Sequence, residues 1–190
     1  CTDCRRFWAK FRAGEVDEPG IRRIEGSLAT TAGTCAVMGT ASTMACIGEA
    51  LGIMLPGTAA IPAVHADRLR AAEASGARAM QLAVAKGKDR LLARDIITPK
   101  SVENALRVLL AIGGSTNAIV HLTAIAGRLG IPVPLDRLNV MSDETPVLVD
   151  LKPTGAHYME DLFAAGGLVG VLKELKHLLH LDAMTITGET

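Results

Sequence analysis

The 190-residue chain is 49% hydrophobic but only 3% aromatic, so it can bury a sizeable core, and that core is built from Ala, Leu, Ile, Val and Met. Twenty Lys and Arg balance twenty Asp and Glu with no basic face standing out, which argues against nucleic acid or an anionic membrane as partner. No stretch reaches the roughly 20 apolar residues of a membrane span, no signal peptide opens the chain, and four cysteines without a dense framework point to a reducing, cytoplasmic setting.

In chain order, "CRRFWAKFRAGEV" reads as a polar, mixed helix ended near Gly14. "AGTCAVMGTASTMACIGEALG" follows, with Met44, Ile47 and Leu51 at helical spacing and Gly52 as the stop. "MLPGTAAIPAV" carries Pro56, Gly57 and Pro62 and reads as a loop. From Asp67 to Lys86 the pattern is helical again, with Leu69, Ala72, Ala79 and Leu82 on one side.

Thr98-Pro99 is the clearest helix start, a hydroxyl cap followed by proline at the first helical position. Val102, Ala105, Leu106, Leu109 and Leu110 then line one face. Gly113-Gly114 closes that helix, and Ser115-Thr116-Asn117 supplies caps for another that stops at Gly130. "TPVLVDL" and "AMTIT" are short, apolar and β-branched, so both read as strands. Between them "HYMEDLFAAGGLVGVLKELKHLL" reads as helix, interrupted at Gly166-Gly167. The expected fold is therefore α/β, with helices alternating with short, mainly parallel strands in a layered α/β/α arrangement.

Cys35 sits among small residues ahead of a helical run, where unpaired backbone N–H groups and the helix dipole favour thiolate over thiol. A thiolate there serves as nucleophile, redox centre or metal ligand; a small buried hydrophobe is the plainer alternative. Cys46, beside Ile47 in the apolar pattern, reads as core. Cys1 and Cys4 form a C-x-x-C with no second pair and no His pair after it, so a solvated, incidental pair is the reading. "GGSTNA" places Ser115, Thr116 and Asn117 at a helix start, where they cap the helix or cradle a carboxylate or phosphate. Glu160 and Asp161 are adjacent, point about 100° apart on a helix, and read as dipole-complementing caps. His121 reads as a core histidine, and His177 with His180 as helix surface.

Three stretches, "AGTCAVMGTASTMACIGEALGIMLPG", "IGGSTNAIVHLTAIAGRLG" and "DLKPTGAHYMEDLFAAGG", resemble in that order three signature regions of the dihydroxy-acid and sugar-acid dehydratase family (IlvD/Edd). The resemblance runs from roughly Thr2 to the C-terminus. It implies a hydro-lyase that removes water from a 2,3-dihydroxy carboxylate to give a 2-keto acid. It also implies an iron–sulfur cluster (2Fe-2S or 4Fe-4S) with an open iron position, and a nearby Mg2+. Cys35 matches the third of the family's three cluster cysteines. Ser42 and Thr43 are then candidates to hydrogen-bond cluster sulfur or substrate hydroxyls, and Ser115, Thr116 and Asn117 for the substrate side.

The same resemblance places two cysteine motifs, the magnesium ligands and the main catalytic base outside these residues, with a C-terminal domain beyond them. Residues 1–97 would then be the cluster-bearing part of the family's N-terminal domain and 98–190 a second α/β subdomain of it. This piece alone is expected to be inactive, and the full-length protein to be a homodimer or homotetramer. "GTCAVMGTASTM" resembles the aldonate branch (arabinonate or similar sugar acids) more than the branch serving branched-chain amino-acid biosynthesis, so a sugar-acid substrate is preferred, with the branched-chain enzyme as alternative. A non-catalytic assembly domain and a phosphate-binding module built on "GGSTNA" are the readings of another class; the chain lacks G-x-G-x-x-G and G-x-x-x-x-G-K-[ST].

Overall fold

Side-chain caps start several of the helices in the computed structural model, which describes residues 2–29 and 31–190. The helices are α1 (Thr2–Arg12), α2 (Glu18–Gly26), α3 (Thr40–Ala50), α4 (Ala66–Val84), α5 (Ala93–Ile96), α6 (Pro99–Ala111), α7 (Asn117–Gly127), α8 (Leu135–Glu144), α9 (Met159–Ala164) and α10 (Gly167–Glu174). Short 3-10 turns span Gly87–Asp89 and Lys176–Leu178. The chain forms two compact units, Cys1–Gly33 and Thr34–Thr190.

In the first unit α1 and α2 pack together. Asp17 caps α2 by accepting the Gly20 N–H at 2.8 Å, and Ile21 is buried. Trp8 meets Phe11 edge-on, with ring centroids 5.4 Å apart. This second helix is absent from the expectations, because "EPGIRRIEG" has too few apolar residues to show a period.

In the second unit α3 and α6 form the centre. Thr98 and Ser101 cap α6 reciprocally: Ser101 Oγ accepts from the Thr98 N–H at 2.8 Å, and Thr98 Oγ1 from the Ser101 N–H at 3.3 Å. One side of the α3–α6 pair buries Ile47, Leu51, Ala105, Leu109, Leu122 of α7 and Met141 of α8. The other buries Cys46, Val108, Ile112, Leu162, Leu168 and Leu175. Gly52 ends α3 at φ +81°, and a Cβ there would lie 3.0 Å from the Met184 carbonyl oxygen, so glycine is required twice over.

The expected layered α/β/α arrangement is not what forms. Among the described residues there is no strand, only an isolated parallel bridge between Leu151 and His157. "TPVLVDL" is extended, but its backbone bonds go to helix ends and loops: the Leu148 N–H donates to Ala111 O at 2.8 Å. "AMTIT" belongs to a tight turn, in which the Thr185 N–H donates to Glu189 O at 2.9 Å and the Ile186 N–H to Gly52 O. A β-branched run becomes a strand only where another strand lies alongside, and neither run has one here.

Helix α4 forms as its period implies, but none of its residues is buried and Leu69 is 78% exposed, so the apolar side read from the sequence is not a packed face. His121 is likewise exposed on α7 rather than in the core. The break at Gly166-Gly167 is real: both residues have positive φ, and α10 begins there.

Candidate functional site

Cys35 lies in the irregular segment before α3. Gly39, not Cys35, is the N-cap, so the thiol stands outside the first turn, where the helix end gathers its unpaired N–H groups. The segment is positioned by its own backbone. The Met38 N–H donates to Lys152 O and the Met159 N–H to Ala36 O, both at 2.8 Å. Ser42, buried in the first turn of α3, points its hydroxyl back at the carbonyls of Val37 (3.2 Å) and Cys35 (3.4 Å). The Cys35 carbonyl and the backbone of Ala36, Val37 and Met38 after it are thereby tied down, while the Cys35 side chain is exposed and unbonded.

A second set of bonds joins α3 to the turn before α7. Thr43 is fully buried, and its Oγ1 accepts the Ser115 N–H at 3.0 Å. Thr40 Oγ1 lies 3.0 Å from Ser115 Oγ and accepts from Asn117 Nδ2 at 3.1 Å. The close approach depends on Gly114, where a Cβ would come within 2.7 Å of Thr43 Cγ2 and 2.8 Å of Leu109 Cδ1. Of the residues singled out in sequence, Thr43, Ser115 and Asn117 are thus drawn into one set of bonds with α3, while Ser42 bonds separately to the Cys35 segment. Thr116 is exposed and its side chain caps nothing.

The hydroxyls of Ser42 and Thr43 are engaged with protein backbone. Asp161 caps α9 as expected, accepting the Tyr158 N–H at 2.8 Å.

Sequence reasoning missed three features. Thr40 is the hub of the hydroxyl network, a role that only the distant pairing with Ser115 reveals. Glu49 is buried on α3 and accepts the N–H groups of Gly57 (2.7 Å) and Ala59 (2.8 Å), organising the "PGTAAIP" loop; an acid inside an apolar helical run was the available signal. Lys152 and Tyr158, flanking the "PTGAH" turn, meet with Nζ 2.6 Å from the phenol oxygen.

As a metal ligand Cys35 is chemically suitable: exposed, unbonded and carried by a fixed main chain. Cys46 is not, because burial, helped by the charge of Glu49, pushes its thiol up to about 12. Cys4 is half-buried in the first unit, and its C-x-x-C partner Cys1 lies outside the described residues. Among the described residues no group of three or more His, Cys, Asp or Glu could hold a metal ion. Among those residues, no set of carboxylates suited to magnesium stands together. No helix is long and apolar enough to cross a membrane among those residues.

Comparison with known proteins gives the family. The family described as "Dihydroxy-acid/6-phosphogluconate dehydratase N-terminal" matches residues 1–190. The dihydroxy-acid dehydratase of Caldicellulosiruptor bescii is 46% identical over 182 residues, covering 95% of this chain and 32% of that protein. Its namesakes in Acetivibrio thermocellus (43% over 182 residues; 95% and 32%) and Methanococcoides burtonii (46% over 179 residues; 94% and 32%) are similarly close. The chain thus spans about a third of the length of the curated relatives it matches. On the family match over residues 1–190, and on relatives named as dehydratases, the chain belongs to the dihydroxy-acid/6-phosphogluconate dehydratase family, of which it represents the N-terminal region.

Proposed function

We propose that the protein carrying this region is a hydro-lyase that converts a branched 2,3-dihydroxy carboxylate into the 2-keto acid by loss of water. The relatives' name, dihydroxy-acid dehydratase, favours the branched substrate over the sugar acid that the wording of "GTCAVMGTASTM" suggested. The observation that carries the reading is the convergence of the three motif regions on one segment. The backbone of Ala36 and Met38 bonds to the "DLKPTGAHYMEDL" hairpin, and α3 bonds to the "GGSTNA" turn.

In this reading Cys35 is one of the thiolates holding an iron–sulfur cluster. When bound, the cluster supplies a Lewis acid that draws electrons from the leaving 3-hydroxyl, with magnesium acidifying the C2–H through the neighbouring carboxylate. The chain's own residues supply position. Ser42 fixes the carbonyls of Val37 and Cys35, the hairpin clamps Ala36 and Met38, and Thr43 locks α3 to Ser115. Held this way, the thiolate is offered with little conformational entropy left to lose. Thr40, Ser115 and Asn117 form the polar surface beside this segment and are the substrate-side candidates, with Thr116 exposed at the same turn. The remaining ligands, the catalytic base and any second subunit come from outside these residues.

The test is turnover by the full-length protein purified without oxygen, with product 2-keto acid trapped as its hydrazone. Higher kcat/KM on 2,3-dihydroxy-3-methylbutanoate than on arabinonate is expected. The reverse order would restore the sugar-acid reading, and no turnover of either would favour an assembly role.

A further inference from the structure

The "DLKPTGAHYMEDL" hairpin that clamps the Cys35 segment also holds a lysine–tyrosine pair. The hairpin closes through Lys152 N–H to His157 O (2.8 Å) and His157 N–H to Asp150 O (3.0 Å). Its turn requires Gly155, where a Cβ would fall 2.2 Å from Asp150 Oδ1 and 2.4 Å from the Asp150 carbonyl carbon. Closure brings the Lys152 and Tyr158 side chains together. Lys152 Nζ donates to Tyr158 Oη at 2.6 Å and lies 4.0 Å from the ring centroid. Both residues are half-buried.

The ammonium has no carboxylate partner among the described residues. The nearby acids are engaged elsewhere. Asp150 Oδ1 accepts the Ala156 N–H at 3.2 Å, and Asp161 Oδ2 accepts the Tyr158 N–H at 2.8 Å. His157 stands between them, 3.9 Å from Asp150 and 3.8 Å from Asp161. Lys152 has three N–H donors and spends one on Tyr158; Tyr158 Oη accepts that bond and keeps its own proton to give. The pair is thus rich in donors with its acceptor already used, which is the chemistry of an oxyanion site. The peptide oxygen of Lys152 is what receives the Met38 N–H, so the residue carrying the ammonium also touches the Cys35 segment.

We propose that Lys152 and Tyr158 anchor the carboxylate of the substrate acid. The assignment rests on the dehydratase reading for which acid is bound, and on the pair's geometry for the fact of binding. The ring and the hydrogen bond hold the ammonium in place before any ligand arrives, so little side-chain freedom is lost on binding. A carboxylate has two oxygens, so an ammonium and a divalent cation can share it.

The experiment is calorimetric titration of the full-length protein with 2-hydroxy-3-methylbutanoate, which lacks the 3-hydroxyl and cannot react, alongside its carboxamide and inorganic phosphate. Lys152→Met is expected to weaken binding of the acid about 10- to 100-fold, the size of a lost charge-assisted hydrogen bond, and to leave the amide unchanged. Tyr158→Phe should weaken the acid less, and Lys152→Arg should recover part of the loss. Acid binding within twofold of the parent in a folded Lys152→Met protein overturns the anchor, as does phosphate binding tighter than the carboxylate. Should Lys152→Met fail to fold, unchanged acid binding in Tyr158→Phe overturns it equally. Lys152-dependent acid binding in a parent that turns over neither acid would remove the dehydratase reading and leave the anchor standing. Full turnover with acid binding indifferent to Lys152 would do the opposite.

Discussion

The side chain of the fully buried Thr43 and the peptide N–H of the half-buried Ser115 are joined across 3.0 Å, tying α3 to the turn before α7. Thr43→Val keeps the shape and deletes the acceptor, leaving a half-buried N–H unpaired. A loss of about 1–3 kcal/mol in unfolding free energy is expected, read as a lower denaturant midpoint with unchanged slope. Thr43→Ser keeps the acceptor and should lose less.

Gly114 makes that approach possible. Gly114→Ala would force a methyl to within 2.7 Å of Thr43 Cγ2 and 2.8 Å of Leu109 Cδ1. Overpacking of this kind costs about 1–3 kcal/mol. The melting temperature of Gly114→Ala should fall, and pairing it with Thr43→Ala should restore part of the loss, a non-additivity that a double-mutant cycle measures.

The two cysteines of the second unit should differ sharply in reactivity. Cys35 is exposed, whereas Cys46 is fully buried with its thiol pushed up to about 12. In the native protein, freed of any cluster, iodoacetamide followed by peptide mass mapping should find Cys35 modified and Cys46 intact until denaturant is added. The raised folded value also has a stability consequence: its contribution is fully present below the ordinary thiol range and is lost as pH rises from about 9 toward about 12. Cys46→Ala should flatten that alkaline limb.

At the acid end, Glu103 is the group to watch. Partial burial pushes its carboxyl up, but the hydrogen bonds from His180 and Arg137 outweigh this and hold it below the usual glutamate value. A lowered folded value means stability that is present above the unfolded glutamate range and lost as pH falls through the folded value. Glu103→Gln should therefore reduce the pH dependence of unfolding free energy below about pH 4.5 while leaving the slope near neutrality little changed.

Helices were legible in this sequence wherever a cap or a stop accompanied the period. Thr98-Pro99, Gly52 and Gly166-Gly167 each mark a boundary that the structure keeps. The side a helix buries was less legible. Val102, Ala105, Leu106 and Leu109 of α6 are buried as read and Leu110 is half-buried, whereas Leu69 on α4 points to solvent, because burial depends on what lies opposite and the period records only the helix's own side. The strands failed for the related reason that pairing is a property of two segments. "TPVLVDL" satisfies the Leu148 N–H on a helix end instead.

At the site, Cys35, Thr43, Ser115 and Asn117 were visible as motif residues, but their meeting was not. Position 43 and position 115 are far apart in the chain, and only the fold brings them within a hydrogen bond. Lys152 and Tyr158 were hidden differently: their partnership depends on a sharp turn at Gly155 that no periodicity announces.

Cys35 as a cluster ligand is open to one direct measurement. The measurement is the visible absorption spectrum of the full-length protein purified without oxygen, with an iron and sulfide count, before and after Cys35→Ser. A brown parent that bleaches in the variant, while Cys46→Ser keeps its colour, is the predicted result. A variant that retains the parent's full iron content and spectrum would contradict the assignment.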